Sequence, residues 1–361
     1  MDLDPYGWIA VVAGVLALGA IVLQVVVLRA LAAHRAARDG GDGGEAADVE
    51  EPGPLVRPLP AVVVNPTKLA DGAGTRVAIE RACREMSWLE PLWFETTPEE
   101  HGASQTRQAL AAGANLVLAC GGDGTVRSVA GALAHSGVPM GLLPVGTGNL
   151  LARNLDINVT DQEQAVRIAL TGRDRSIDVG RVTIEAPDGT VVSQDEVFLV
   201  MAGLGFDAAV MASTPEALKA RVGWVAYVLS GFRLLKGRSS RVSLQVGDGP
   251  EIVRRLRTVV VGNCGRLLGG IVLMPDARVD DGWLDLVAIA PRGIVGWTAV
   301  LGQVVTRARR GHGIVEHYRS RTFTVRTDDV EQAQIDGDPV GDARSLRVSV
   351  DPDALLVRVP T

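Results

Sequence analysis

One stretch of the sequence decides the fold of this chain, and it reads Leu116-Val117-Leu118-Ala119-Cys120-Gly121-Gly122-Asp123-Gly124-Thr125-Val126. An apolar run of strand length ends in three glycines around one carboxylate, and a helix-compatible segment, 127–135, follows. Glycines lack the Cβ atoms that keep ligands away from the backbone, and the free N–H groups at a helix start attract anions. The stretch predicts a strand, a turn that approaches a phosphate group, and a helix. An ordinary tight βα turn is the alternative.

The composition of the 361 residues limits the classes of protein to consider. Hydrophobic residues make up 47% of the chain, which excludes global disorder. Six of the 42 acidic residues lie between positions 39 and 51, and the remaining 36 balance the 36 lysines and arginines. Because no broad basic field is present, we expect no nucleic-acid partner. The three cysteines are scattered without CxxC spacing, so neither a disulfide framework nor a zinc site is expected.

The N-terminal part is predicted to hold a membrane anchor. Within 9–28 only Gln24 is strongly polar, and a helix of that length spans one hydrocarbon core of roughly 30 Å. Basic residues follow the run, so the positive-inside rule places what comes next in the cytoplasm. A buried helix and a cleaved signal peptide are the alternatives. We expect a short tail (1–7), a single-pass anchor in the inner membrane (8–28) and a flexible acidic linker (29–59).

From residue 60 the sequence alternates between strand-like and helix-like runs. The expected strands are 61–64, 92–97, 115–120 and 139–145, and the expected helices between them are 75–85 and 104–112. This rhythm predicts an α/β domain over 60–178 with a mainly parallel sheet. Ligands bind beyond the carboxyl ends of the strands in such sheets, so segments that follow strand ends are expected to share one crevice. Those segments are 65–66, Thr97, 121–125 and 146–149.

After residue 178 the pattern changes to short β-rich runs separated by Asp-Gly and Gly-Asp turns. The expected strands are 180–186, 196–202, 240–246, 256–262, 283–289, 322–327 and 346–350, with helix-compatible segments at 215–236 and 292–310. This pattern predicts a second, mostly antiparallel domain with a sandwich-like core.

The glycine turn at 121–125 matches neither a Walker A loop, which needs Lys and Ser or Thr after the last glycine, nor a Rossmann GxGxxG. Its backbone amides suit phosphate oxygens, whereas Asp123 would repel a phosphate unless it bound Mg²⁺ or a ribose hydroxyl. Asp123 therefore suggests a Mg–nucleotide, with an N-cap or an Asx turn as the alternative. The turn at 146–149 could contact phosphate, base or ribose through Thr147 and Asn149, or be an ordinary turn.

Two acidic turns lie in the second domain. Asp336 and Asp338 flank a glycine, and a kinase that acts on an alcohol needs a carboxylate to accept the hydroxyl proton. A simple hairpin turn is the alternative, because Asp-Gly is its strongest signal. The dense acidic turn around Asp281 and Gly282 suits a hard cation, with the same alternative.

Together these motifs resemble the diacylglycerol kinase catalytic domain family and, within it, the bacterial soluble-type lipid kinases. Sphingosine and ceramide kinases are more distant relatives. The resemblance extends over residues 60–358 and rests on the order and spacing of seven segments. These segments are Asn65-Pro66, 121–125, 144–149, 152–155, 205–208, Pro275 with 281–285, and 335–338.

The resemblance implies an α/β nucleotide-binding domain, like those of NAD kinases and phosphofructokinases, followed by a β-sandwich domain. The sandwich is expected over 179–345, and 346–361 returns to the first domain, with ATP between the two. Contacts to the nucleotide are implied at Asn65, Thr97, Gly121, Gly122, Asp123, Gly124, Thr125, Val126, Gly146, Thr147 and Asn149.

The resemblance also implies the catalytic and metal-binding residues. The general base of the family is usually the Glu of an Asp-Gly-Glu triplet, and here that position holds Asp338, whose reach is about 1.5 Å shorter. Asp123 is the second expected catalytic residue. A structural Mg²⁺ maps on Asp281 with the backbone oxygens of Arg278 and Trp283, and Asp207 matches a contact to the acceptor.

The implied activity is an ATP- and Mg²⁺-dependent lipid kinase at the membrane, with diacylglycerol as the expected acceptor and phosphatidic acid as the product. Another lipid alcohol, such as a sphingoid base or ceramide, and a soluble metabolite are alternative acceptors. A membrane protein that senses nucleotides without catalysis is an alternative from another class. The expected partners are the lipid and the bilayer, and a homodimer is left open by the sequence.

Overall fold

The structure, a computed structural model, describes residues 57–69, 71–205, 239–267, 272–291 and 314–361. Several predicted features therefore lie outside the described residues, namely the tail and anchor (1–28), most of the linker, Asp207, and the helix-compatible segments 215–236 and 292–310. Among the helices of the described ranges, none is both long and apolar enough to cross a bilayer.

The first half of the described chain is a parallel sheet whose strands alternate with helices. The strands are β1 (Pro60–Val64), β2 (Leu92–Glu95), β3 (Leu116–Gly121) and β4 (Met140–Pro144), in the order β2-β1-β3-β4. The helices are α1 (Gly72–Glu85), α2 (Ala103–Ala111), α3 (Asp123–Leu133), α4 (Leu150–Asn154) and α5 (Gln162–Thr171). Every residue of β1, β3 and β4 is buried, as expected for parallel strands covered on both faces. The predicted α/β domain is confirmed.

The second half is built from mostly antiparallel strands around its own apolar core. The strands are β5 (Arg173–Glu185), β6 (Val191–Phe198), β7 (Met201–Leu204), β8 (Ser240–Val246), β9 (Ile252–Leu256), β10 (Thr258–Gly262), β11 (Leu284–Ile289), β12 (Val315–Ser320), β13 (Thr322–Ile335) and β14 (Asp338–Val359). Phe198 and Phe323 are the largest side chains of this core, and both are fully buried. The predicted β-sandwich is confirmed.

Several of the expected strand boundaries are wrong. The run 196–202 is not one strand, because β6 ends at Phe198 and the amides of the next residues turn toward the carboxylate of Asp336 before β7 begins. The runs 322–327 and 346–350 are parts of much longer strands. Each of these long strands contains a register shift, between Arg326 and Glu331 in β13 and between Asp351 and Leu355 in β14.

Two long strands join the halves. β14 pairs with β13 in the sandwich, and its Val357 pairs in parallel with Met140 of β4. β5 follows β14 antiparallel over almost its whole length, from Glu185 to Arg173. The predicted domain boundaries at 178 and 345 fall inside these two strands. Backbone hydrogen bonds that run across both halves therefore fix how the glycine turn after β3 faces the β13–β14 turn.

Candidate active site

Two small-residue turns meet at the carboxyl ends of β3 and β4. A Cβ atom added to Gly146 would lie only 2.5 Å from the Cα of Gly122, so the backbones of the two turns are in direct contact. The N-cap residue of α3 is Gly122, which has no side chain to accept hydrogen bonds from the first N–H groups of the helix. The structure therefore brings the turns 121–125 and 146–149 into one site, at the start of a helix suited to an anion.

Asp123 joins these two turns. Its Oδ2 accepts a hydrogen bond from the amide of Asn149 (2.9 Å), and its Oδ1 accepts one from the amide of Leu150 (2.6 Å). Asp123 thus caps the N-terminus of α4. Helix capping was the alternative to the predicted contact with Mg–ATP. Each carboxylate oxygen keeps a further lone pair, so the metal role stays a prediction.

The electrostatic surroundings of Asp123 are strongly acidic. Burial, the largest cause, raises the pKa of Asp123 to about 6, and the nearby carboxylates of Asp336 and Asp338 raise it as well. The two amide hydrogen bonds act in the opposite direction. A cation close to Asp123 would favour its charged form, since opposite charge stabilises a carboxylate.

Other predicted nucleotide residues stabilise the turns themselves. Asn149 adopts a left-handed conformation (φ 50°), and its side chain accepts from the amide of Gly146 and donates to the carbonyl of the same residue. The Oδ1 of Asn65 accepts from the amide and hydroxyl of Thr67. Thr97 accepts a hydrogen bond from the amide of Glu100 and is exposed. These hydrogen bonds stabilise the backbone of the turns. Contacts of the same residues with a nucleotide stay predictions.

The two carboxylates of the β13–β14 turn have opposite surroundings, and Asp336 is the buried one. It is 4% exposed and left-handed (φ 51°), and its carboxylate accepts hydrogen bonds from the amides of Leu199 (3.0 Å), Val200 (2.8 Å) and Met201 (3.0 Å). Burial raises the pKa of Asp336, while the charge of Arg127 and these amides oppose the rise. The residues alone left Asp336 and Asp338 open as the base, and the family resemblance implied Asp338; the structure gives Asp336 a structural role.

Asp338 is the accessible carboxylate of this turn. Its side chain is 53% exposed, and its Oδ2 lies 3.2 Å from the place where a Cβ atom of Gly124 would be. The carboxylate therefore lies directly against the glycine turn. A general base must be accessible to the proton that it accepts, and the exposed Asp338 meets this requirement.

Arg127 was not predicted from the sequence as part of this site. This residue lies one helical turn after Asp123 on α3, and its Nη1 donates to the carbonyl of Ile335 (2.9 Å) and to Oδ2 of Asp338 (3.2 Å). Its Nε lies 3.6 Å from Oε1 of Glu196. The spacing of four residues after Asp123 is the one signal that could have identified it, since residues i and i+4 share a helix face.

The predicted structural metal site centres on Asp281. Its Oδ1 accepts from the amide of Trp283 (3.1 Å), and its Oδ2 forms an ion pair with Arg319. Within the described ranges, no group of three or more His, Cys, Asp or Glu side chains could hold a metal ion. The predicted set uses one carboxylate and two carbonyls, including that of Arg278, so it stays a prediction.

The site fits ATP with Mg²⁺ on its own chemistry. The start of α3, where Gly122 provides no side-chain cap, suits phosphate oxygens, and so does the close approach of Gly122 and Gly146. Thr147 is exposed and therefore accessible to a ligand. Asp123 and Asp338 supply carboxylates that a divalent cation prefers. A parallel α/β sheet, a glycine turn and a facing carboxylate together form the arrangement expected of a kinase.

Comparisons with known proteins identify the family within that class. A diacylglycerol kinase catalytic domain model matches residues 61–182, and a YegS C-terminal NAD kinase beta sandwich-like domain model matches residues 200–359. A relative from Pseudomonas aeruginosa, named probable lipid kinase YegS-like, is 35% identical over 263 residues, which cover 70% of this chain and 79% of the relative. A Pseudomonas fluorescens relative of the same name is 33% identical over 311 residues, covering 83% and 93%.

A solved structure shares the fold. The crystal structure of a diacylglycerol kinase from Bacillus anthracis aligns with a TM-score of 0.64 at 19% identity, over 84% of this chain and 97% of that one. The likeness in three dimensions extends over both halves. The matches in sequence show that the chain belongs to the diacylglycerol kinase-like family of lipid kinases.

Proposed function

We propose that this protein is an ATP- and Mg²⁺-dependent kinase that phosphorylates the hydroxyl of a membrane lipid, with diacylglycerol as the acceptor and phosphatidic acid as the product. One observation carries the proposal. The exposed carboxylate of Asp338 stands over the glycine turn, with Oδ2 3.2 Å from the Cβ position of Gly124. A base in this place faces the position where the amides of the α3 start would hold the terminal phosphate.

The residues of the chain supply orientation and proton transfer. Bound ATP with Mg²⁺ supplies the phosphoryl group and neutralises charge on its oxygens. The acceptor hydroxyl oxygen forms a bond to the γ-phosphorus, the bond from that phosphorus to the β–γ bridging oxygen breaks, and ADP leaves. Asp338 accepts the hydroxyl proton as the acceptor attacks. The amides at the start of α3 bind the phosphates and orient them for this attack.

The lipid acceptor is supported by the names of the relatives and by the N-terminal sequence. The relatives from Pseudomonas aeruginosa and Pseudomonas fluorescens are named probable lipid kinases. The apolar run predicted as an anchor, 8–28, would confine the enzyme to the membrane that contains such a substrate and so raise its effective concentration there. We place the enzyme at the inner membrane with its catalytic part in the cytoplasm.

The full-length protein can be tested with γ-labelled ATP and phospholipid vesicles that contain diacylglycerol, ceramide or sphingosine. We expect labelled phosphatidic acid with diacylglycerol and little product with the other two. Labelled product with ceramide or sphingosine, and none with diacylglycerol, would show that another lipid is the acceptor. Binding of ATP without any lipid product would contradict the kinase proposal and support a nucleotide sensor.

The membrane placement has a separate test. Protease added to sealed inverted vesicles is expected to degrade the catalytic part, because that part would face the outside of such vesicles. Protection of the catalytic part from protease would contradict the cytoplasmic placement. Release of the full-length protein from the vesicles by high salt would contradict the membrane anchor.

A further inference from the structure

Arg127 connects the two halves of the molecule at the site. It lies on α3, the helix that begins at the glycine turn, and its side chain is only 14% exposed. Its Nη1 reaches the turn between β13 and β14, where it donates to the carbonyl of Ile335 at 2.9 Å and to Asp338 at 3.2 Å. One guanidinium group thus contacts both the backbone that carries the base and the base itself.

Arg127 is surrounded by negative charge. Oε1 of Glu196 lies 3.6 Å from its Nε, and its charge also acts on the buried Asp336. A guanidinium offers several donors in a fixed plane, so it can hold two acceptors in a defined relation to each other. Nη1 of Arg127 donates to both the carbonyl of Ile335 and the carboxylate of Asp338. The orientation of the Asp338 carboxylate therefore depends on the position of the β13–β14 turn.

The side chain of Asp338 has few other restraints. It is 53% exposed, and the turn before it contains Gly337 with a positive φ of 88°. An exposed side chain that follows a flexible residue can rotate away from the glycine turn unless a partner holds it. Among the described residues, the contact with Arg127 is the one that directs Oδ2 of Asp338 toward Gly124.

We propose that Arg127 is a positioning residue for catalysis: it holds the carboxylate of Asp338 over the glycine turn and fixes the turn of the sandwich domain against α3. This inference rests on the proposed function. In this chain the base is an aspartate, whose reach is short, so its placement depends on the residue that holds it. A displacement of about 1 Å in a reacting group can cost on the order of 100-fold in rate.

The test compares kcat and KM of the full-length wild type with Arg127→Gln, Arg127→Lys, Asp338→Asn and the double variant Arg127→Gln/Asp338→Asn. Arg127→Gln is expected to lower kcat about 10- to 100-fold while KM for ATP changes less than about threefold. Arg127→Lys is expected to recover part of the loss, because an ammonium keeps the charge but loses the planar geometry. Arg347→Gln, which breaks an ion pair with Glu185 away from every predicted site, is the matched control and should retain wild-type kcat.

The double variant separates positioning from a general structural effect. If Arg127 acts through Asp338, the double variant should be within about threefold of Asp338→Asn alone, because residues that act as a unit are non-additive. A full additional loss in the double variant would overturn the inference, as would wild-type kcat in Arg127→Gln. Thermal unfolding checks the fold, and if Arg127→Gln unfolds early, the same comparison is made with Arg127→Lys.

The outcomes also separate this inference from the proposed function. A wild type that phosphorylates no lipid would overturn the proposed function and the role of Arg127 with it. A wild type that is active, but is matched in kcat by Arg127→Gln, would overturn the role of Arg127 alone.

Discussion

The chain carries two acidic turns of similar sequence, at 280–283 and at 335–338, and the structure surrounds them with different partners. In the first, Asp281 forms an ion pair with Arg319 and accepts from the backbone of Trp283. In the second, Asp336 is buried among three backbone amides, and Asp338 faces the glycine turn. Each turn contains the Asp-Gly pair typical of a hairpin, so the local sequence does not separate them.

The difference shows that the partners of a carboxylate decide what it can do. Asp336 has its hydrogen-bonding capacity taken up by amides, which lets it fix the turn and leaves it no access to a substrate. That anchorage is what allows Asp338, two residues later, to remain exposed at a defined place. Asp281 has a positively charged neighbour and an exposed tryptophan beside it, an arrangement that stabilises the loop.

The largest effect is expected from removal of the proposed base, Asp338. Asp338→Asn should lower kcat by about 10²- to 10⁴-fold, the range that a general base contributes, with little change in ATP binding. The matched control is Asp248→Asn, which makes the same chemical change in another Asp-Gly turn and should leave kcat unchanged. Steady-state kinetics with diacylglycerol vesicles would show this, and a kcat within threefold of wild type would remove Asp338 from the mechanism.

The next effect concerns stability. Asp336→Ala should lower the free energy of unfolding by about 2–4 kcal/mol, because three buried amides lose their acceptor and each unsatisfied group costs about 1–3 kcal/mol. Part of the loss is offset because a buried carboxylate is itself costly. Urea unfolding measures the change, and an unaltered midpoint would contradict the structural role of Asp336.

A third prediction concerns pH and uses the raised pKa of Asp123. Burial raises it from 3.8 to about 6, so between these values the folded state binds more protons than the unfolded state. The contribution of Asp123 to stability is therefore present below pH 3.8 and is lost as the pH rises through about 6. Asp123→Asn should remove this loss.

The measurement is the difference in unfolding free energy between Asp123→Asn and the wild type at pH 4.5 and at pH 7. The variant should gain relative to the wild type on going to pH 7. Other titrating groups are present in both proteins and cancel to first order. A constant difference at the two pH values would contradict the raised pKa.

A smaller effect is expected from the length of the base. Asp338→Glu introduces the residue that the family resemblance implies at this position, but it also moves the carboxylate by one methylene past its contact with Arg127. We expect kcat to stay within about tenfold of the wild type, since the proton acceptor is kept and only its placement changes. A loss of kcat as large as that of Asp338→Asn would mean that the contact with Arg127 requires the length of an aspartate side chain.

The smallest effect is expected at the other acidic turn. Asp281→Asn breaks the ion pair with Arg319, and an exposed pair of this kind contributes about 0.2–1 kcal/mol. If Mg²⁺ binds at Asp281, the wild type should unfold at a higher temperature in Mg²⁺ without nucleotide, and the variant should lose that increase. An equal increase in both proteins would exclude Asp281 as a ligand.

Much of the fold could be predicted from the sequence. The strand, glycine turn and helix around Asp123 are local, so periodicity and turn chemistry were sufficient to predict them. The succession of parallel strands also predicted that the turns 121–125 and 146–149 would meet, because the carboxyl ends of neighbouring strands share an edge. The structure confirms the α/β domain and the sandwich that follows it.

The remainder of the site depends on contacts between distant parts of the chain. Arg127 and Ile335 are 208 residues apart, and their contact depends on the pairing of β14 with β4, which joins the sandwich to the α/β sheet and which no local pattern encodes. The roles of Asp336 and Asp338 are divided by a left-handed backbone at Asp336 that directs its side chain inward. The break between β6 and β7 has the same origin, since its amides bind Asp336.

The central claim is that Asp338 is the base of a lipid kinase whose glycine turn holds ATP. The most direct test is a single-turnover experiment in which Mg²⁺ and γ-labelled ATP are bound first and vesicles containing diacylglycerol are then added. Wild type and Asp338→Asn should bind the nucleotide equally, and only the wild type should transfer the label to the lipid. Equal transfer by both proteins, or bound ATP with no transfer by the wild type, would contradict the account.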